Sequence, residues 1–146
     1  MAEWISPVHN RTQQDVDYAK EQLKNKNNQS ELKGCFNVTD INRIENNTRY
    51  IADRLNVLLY VNHIETKLWS MYDLPNVPEI ARLIGNVAAL IKAYHIPDDA
   101  PPLPSTLLGY EEANALEKNL YLIKHLVDNE ENAFKHCGTF ACGEEW

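Results

Sequence analysis

Residues 73–95 read DLPNVPEIARLIGNVAALIKAYH. Pro78 falls where the first turn of a helix accepts an imino acid, because the N–H it lacks would have no intrahelical partner there. Ile80, Leu83, Ile84, Val87, Leu90, Ile91 and Tyr94 then recur every three or four residues, a wide apolar face with the helical period. The rest of the chain supplies what can cover that face.

Upstream, TDINRIENNTRYIADRLN (39–56) predicts a second helix with Thr39 as its cap. Its stripe is Ile41, Ile44, Thr48, Ile51 and Leu55. Nearer the start, RTQQDVDYAKEQL (11–23) predicts a helix capped by Thr12. Asp15 and Asp17 stand in its first turns, where carboxylates suit the helix dipole. Downstream, IPDDAPPLPSTLLG holds four prolines and forces an extended connection. A last helix is predicted from Tyr110 to Phe134, with Leu116, Leu120, Ile123 and Val127 as its stripe. Four helices with apolar faces imply an all-α antiparallel bundle.

Two pieces do not read as helix. VLLYVNHIETKLW (57–69) is rich in β-branched and aromatic residues and predicts one or two short strands. The alternative is that the second helix runs on through Leu58 and Leu59. The closing residues HCGTFACGEEW alternate polar and apolar around two glycines, so 137–146 predict an extended tail, a short strand or hairpin able to pair with 57–69. The whole is expected to be one domain, 1–146, with an irregular segment at 1–10.

The bulk numbers agree. A chain of 146 residues, 44% hydrophobic and 24% charged, suits one domain with a real core. A net charge of −7, with 14 Lys+Arg scattered among 21 Asp+Glu, argues against nucleic acid, which requires a basic stripe. Residues 1–15 lack the apolar centre of a signal peptide, and no apolar run is long enough for a bilayer. Folding in a cytosol is the expectation, so the sequons at Asn10, Asn28, Asn37 and Asn46 are read as accidents of an Asn-rich sequence.

A tetrahedral metal site needs four ligands, and the best set is Cys35, His136, Cys137 and Cys142. It lacks a second tight pair, and adjacent His136 and Cys137 diverge on a strand. A Cys137–Cys142 disulfide is disfavoured in a reducing cytosol. The cysteines are therefore read as small apolar residues. His63 with Glu65 matches no metal signature, His125 is a lone helical histidine near Tyr121 and Lys124, and His9 and His95 sit beside breaks. Glu111, Glu112 and Glu117 crowd the start of the last helix, where the dipole favours them. Asp98 and Asp99 are too few for calcium. There is no nucleophile elbow, P-loop or dinucleotide fingerprint. No catalytic residue, metal or cofactor is expected, and the chain is not read as an enzyme. Trp4, Trp69 and Trp146 lie outside the predicted helices; Trp4, Phe140 and Trp146 are candidates for an interface.

Five strings occur in a familiar order: NRTQQDV, FNVTDINRIENNTRYIADRLN, a Trp followed by DLPNVPEIARLIGNVAALI, LLGYEEANALEKNL, and CGTFACGE. They span nearly the whole chain. The chain resembles small helical proteins of the tail and baseplate modules of phages and prophages of Gram-positive bacteria. The matching positions are Arg11 to Val16, Thr39 to Arg43, Trp69 to Pro75, Tyr110 to Glu117 and Cys137 to Glu144. Cys137 departs from the small Ser-like residue of the family pattern, which argues further against a metal there. The resemblance implies a structural virion component, a non-enzymatic adaptor between subunits. Its partners would be other tail or baseplate proteins and copies of itself, not nucleic acid or membrane. It would reside in the virion tail after synthesis in the host bacterial cytoplasm. The alternative is a soluble prophage-encoded accessory or regulatory binding protein that does not enter the particle.

Overall fold

A computed structural model describes residues 3–24, 38–70, 72–73, 76–95, 98–106 and 109–140, with the backbone alone for residues 23 and 135–140. The fold is an all-α bundle of four helices: α1 (Gln13–Lys24), α2 (Val38–Val57), α3 (Val77–Ala93) and α4 (Tyr110–Phe140). Helices α2, α3 and α4 pack on one another, but they run in the same direction and not antiparallel as predicted: Arg43 meets Glu117 and Arg54 meets Glu131 between α2 and α4, while Glu45 meets Arg82 near the starts of α2 and α3. Extended connections such as 60–69 carry the chain back between them. Among the described side chains, α1 buries Ala19 alone. The core is the set of predicted stripes brought together: Ile41, Ile44, Ile51 and Leu55 from α2, Leu83, Ile84, Val87 and Leu90 from α3, and Leu116, Leu120, Ile123 and Val127 from α4. Each fully buried Ile or Leu contributes about 1.5–3 kcal/mol relative to exposure.

The helix ends follow from local chemistry. Thr12 and Asp15 cap α1 reciprocally: the Thr12 N–H donates to Asp15 Oδ2 at 2.9 Å, and the Asp15 N–H to Thr12 Oγ1 at 3.2 Å. At α3, Asn76 accepts the Glu79 N–H at 3.0 Å, and Pro78 lies in the first turn as predicted. Helix α2 begins at Val38, so Thr39 sits inside the first turn and not at the cap. It ends in a Schellman pattern: the Tyr60 N–H bonds the Leu55 carbonyl at 2.8 Å, and the Leu59 N–H the Asn56 carbonyl at 3.1 Å. Leu59 takes the left-handed position with φ 71°. The second helix therefore stops before Leu59 and does not run on.

Beyond this stop, residues 60–69 return along α2. The Asn62 N–H bonds Asn56 Oδ1, the Ile64 carbonyl accepts from Arg49, and Trp69 pairs its backbone with Asn42. Fourteen residues of α2 separate Asn42 from Asn56, a rise of about 21 Å. Seven residues, Asn62 to Trp69, cover that distance only at about 3 Å each, which is extended chain. Burial agrees, since Leu59, Val61, His63 and Glu65 are exposed while Tyr60, Asn62, Ile64 and Thr66 are buried or half-buried. The predicted extended piece is there, but no described residue pairs with it as a strand. Side chains of the flanking helices take its carbonyls instead.

The other extended piece is corrected in part. Helix α4 continues six residues past Phe134, so Cys137–Phe140 are helical. Once a helix is nucleated each further residue adds a hydrogen bond, and one glycine costs only about 1 kcal/mol. Gly138 is not enough to end it. Residues 141–146, including Cys142 and Trp146, lie outside the described residues.

Candidate functional site

Two polar regions stand out, both built on α2. The first is a buried charge network. Arg11, in the segment before α1, donates to Glu117 Oε2 at 2.9 Å and to Asp40 Oδ1 at 3.0 Å. Arg43, one turn beyond Asp40 on α2, donates to Glu117 Oε1 at 2.5 Å and to Asp40 Oδ1 at 2.6 Å. The Glu117 side chain is 0% exposed and that of Arg11 1%. Two cations face two anions, so the group is neutral overall. Burial opposes the Arg43 cation, but the bonds and charges of Glu117 and Asp40 outweigh it and raise its pKa above the ordinary value.

The same network fastens the segment before α1. The Asn114 carboxamide reads the Arg11 backbone from α4, accepting its N–H at 3.1 Å and donating to its carbonyl at 2.9 Å. Asn47 does the same for Ile5 from α2, at 3.0 and 2.8 Å. Each carboxamide takes the place of a neighbouring strand. Residues 3–12 thus form a strap across α2 and α4. A second knot holds Trp69, whose Nε1 donates to Glu45 Oε1 at 3.1 Å. Arg82 of α3 pairs with the same carboxylate, and that bond raises its pKa against the effect of burial. At the far end of the bundle, the Tyr60 and Tyr94 hydroxyls donate to the two oxygens of Glu130, at 2.8 and 2.7 Å. Burial first, then that bond, pushes the Tyr94 hydroxyl up, so it remains a donor.

The second region is an open polar cleft of about 630 Å³ between α2, the 60–69 segment and α3. Arg49 and Asn56 line it from α2, Arg82 and Asn86 from α3, and Asn62 to Glu65 form its floor. Arg49 donates to the Ile64 carbonyl at 3.0 Å, while Arg82 and Asn86 donate to the Glu65 carbonyl at 2.6 and 2.7 Å. Consecutive carbonyls of an extended chain point to opposite edges, which is why one goes to each helix. Asn62 holds the floor through Nδ2, which donates to the Ala52 and Tyr60 carbonyls, each at 3.2 Å. Its Oδ1 has no partner, the one buried side-chain polar atom so placed among the described residues. Such an atom costs about 1–3 kcal/mol.

The expected site residues fall as follows. Trp4 packs its ring against Tyr50 at 5.7 Å, with Lys124 5.3 Å above it. The backbone of His136, Cys137 and Phe140 is in α4, and their side chains lie outside the described residues, as do Cys35, Cys142 and Trp146. No group of three metal-ligating side chains occurs among the described residues. His9 and His125 flank Tyr121 at 5.1 and 5.7 Å, and His95 lies 4.2 Å from Tyr94. His63 and Glu65 are exposed on the cleft floor. Glu111 fits its expected place in the first turn of α4. Glu117 does not: it lies two turns in and is held by arginines, not by the dipole.

Sequence reasoning missed both regions. The charge network did leave a signal, because Arg11, Asp40, Arg43, Asn114 and Glu117 all fall inside the quoted strings. By the same measure the cleft left one too, since Arg49, Asn56, Arg82 and Asn86 also fall inside those strings. No family model, curated protein or solved structure matches the chain. No helix is long and apolar enough to cross a membrane among the described residues.

Proposed function

We propose that the protein is a structural component of a phage tail or baseplate, in which the bundle is a non-enzymatic adaptor between neighbouring subunits. One observation carries this reading. Polar residues of the quoted strings meet in two structural knots: Arg11, Asp40, Arg43, Asn114 and Glu117 in one, and Asn42 with Trp69 in another. An enzyme's site would be expected to keep some such groups free to react. Here their donors and acceptors face one another, and their work is to fix the strap and the 60–69 segment on the bundle. A fixed shape is what an adaptor requires.

The surface supports the same reading. Leu68, Tyr72 and Val77 are each more than 80% exposed near the start of α3, and Val57, Leu59 and Val61 are each at least 70% exposed where α2 ends. Apolar side chains grouped at both ends of a bundle suit contact with partners. Those partners would be other tail proteins and further copies of the chain in a symmetric assembly.

The test is composition. Particles released from an induced lysogen and banded on a density gradient should contain the protein at a fixed ratio to the tail proteins, read by quantitative mass spectrometry. Abundant protein in the lysate with none in the particles would overturn the reading in favour of a soluble accessory protein.

A further inference from the structure

We infer that the groove between α2 and α4 is a peptide-binding site, and that the strap of a second copy of the chain enters it in place of the chain's own. The ligand is an extended segment with a tryptophan and, seven residues on, an arginine. The inference rests on the reading of the chain as an adaptor among copies of itself, and three observations carry it.

The first is how the groove reads the strap. Asn47 of α2 takes both the N–H and the carbonyl of Ile5, and Asn114 of α4 takes both of Arg11. Glu117 Oε1 accepts the Val8 N–H at 3.3 Å. These bonds go to main chain and suit any extended segment. Two side chains then give selectivity: the Trp4 ring lies 5.7 Å from that of Tyr50 with the Lys124 ammonium 5.3 Å above it, and the Arg11 guanidinium meets Glu117 and Asp40. Main-chain bonds for affinity and side-chain seats for specificity are the means by which proteins bind extended peptides in trans.

The second is how little else ties the strap to its own bundle. Arg11 is the one buried residue of 3–12, and Ile5 is 48% exposed. Helix α1, which follows the strap, does not pack on α2, α3 or α4 to the extent that these pack on one another. Departure of the strap therefore exposes little apolar surface.

The third is what a vacated groove demands. Without Arg11, Arg43 alone faces Asp40 and Glu117, and one buried carboxylate charge is left unmatched. The groove must be refilled by an equivalent guanidinium. The strap of another copy refills it with the same contacts, so exchange loses none of them. Between neighbours joined at short range the strap's effective concentration reaches about the mM level, which favours such exchange. The exchanged site keeps its geometry, so the shape stays fixed while the copies become linked.

The test has two arms. In the first, a fluorescein-labelled synthetic peptide of residues 3–14 is titrated into the full-length Arg11→Ala chain, whose own strap is weakened. Saturable binding is expected, with a dissociation constant of about 1–100 μM and a raised melting temperature. The same peptide carrying Arg11→Ala should bind about tenfold more weakly or worse, and a scrambled sequence should not bind. If the Arg11→Ala chain does not fold, the full-length Trp4→Ala chain serves, with the same order of affinities. In the second arm the Arg11→Ala chain, which keeps an intact groove, is mixed with the Asn114→Leu chain, which keeps an intact strap. Native mass spectrometry should show the heterodimer in excess over either homodimer. Three results overturn the inference: no saturable binding of the wild-type peptide, equal binding of the Arg11→Ala or scrambled peptide, or no excess of the heterodimer. None of them alters the protein's ratio to tail proteins in particles, which tests the adaptor reading separately.

Discussion

Arg43 and Arg49 stand on the same helix, less than two turns apart, yet they sit in opposite kinds of environment. Arg43 is buried against two carboxylates in a network whose four charges cancel. Arg49 rests a third exposed at the side of an open cleft, with donors to spare. The difference comes from what crosses α2 at each level. At Arg43 the strap closes over the helix, excludes water and brings its own arginine. At Arg49 an extended segment passes, whose polar groups are backbone carbonyls. A buried charge must be fully matched or it destabilises; a partly exposed one can be left incomplete. The first arrangement fixes shape, and the second leaves a group free to meet something else.

The most direct way to break the contrast is Glu117→Gln. It leaves Arg11 and Arg43 buried without their shared anion, so the loss should be about 3–5 kcal/mol in urea unfolding. A loss under about 0.5 kcal/mol, the usual surface value, would mean that the network is wetter than its geometry implies. Ile51, 1% exposed in the core of the same helix, calibrates ordinary packing. Ile51→Ala should cost about 2–5 kcal/mol by the same measurement, without changing the pH dependence of stability. At the end of α2, Leu59→Gly should stabilise by about 1 kcal/mol, because glycine accepts φ 71° without the strain a side chain meets. A lower melting temperature for this variant would show that the exposed Leu59 side chain contributes more than its backbone costs. Arg49→Met should move stability least, by about 1 kcal/mol, since the bond to the Ile64 carbonyl, a long one to Thr66 and a weak pair with Asp53 are lost at a partly exposed position. An effect as large as that of Glu117→Gln would erase the distinction between the two regions.

The apolar half of this structure was legible before any coordinates. The predicted stripes supply the core apart from Ala52 and Trp69, with Ile80, Ile91 and Tyr94 half-buried against it, because a 3.6-residue period is a local property of sequence. The Thr12 cap was legible for the same reason, as Thr12 and Asp15 are three residues apart. The charge network was not, because Arg11 and Glu117 are 106 residues apart and neither breaks the apolar period of its own segment. Glu117 adjoins Leu116 of the stripe, and only the strap turns that flank into an interior. The extended character of 57–69 was read correctly from its β-branched residues, but not its partner. Composition reports a preference for strand geometry and cannot say that Arg49, Arg82 and Asn86 will stand in for a second strand. The last helix was ended at Phe134 on the strength of glycines that, taken singly, do not stop a long helix.

The strap also sets an order of events during synthesis. Arg11 leaves the ribosome 106 residues ahead of Glu117, its deepest partner. At about 5–20 residues per second, that is a wait of roughly 5–20 s. Throughout it the strap can meet only its α2 partners, Asp40 and Asn47, since both Asn114 and Glu117 belong to the last helix. A nascent chain halted before α4 would hold both Arg11 and Arg43 on Asp40 alone, with one cation unmatched. Completion of α4 is therefore the step that commits the chain, and a protease acting on stalled chains would find residues 3–12 as its first accessible substrate.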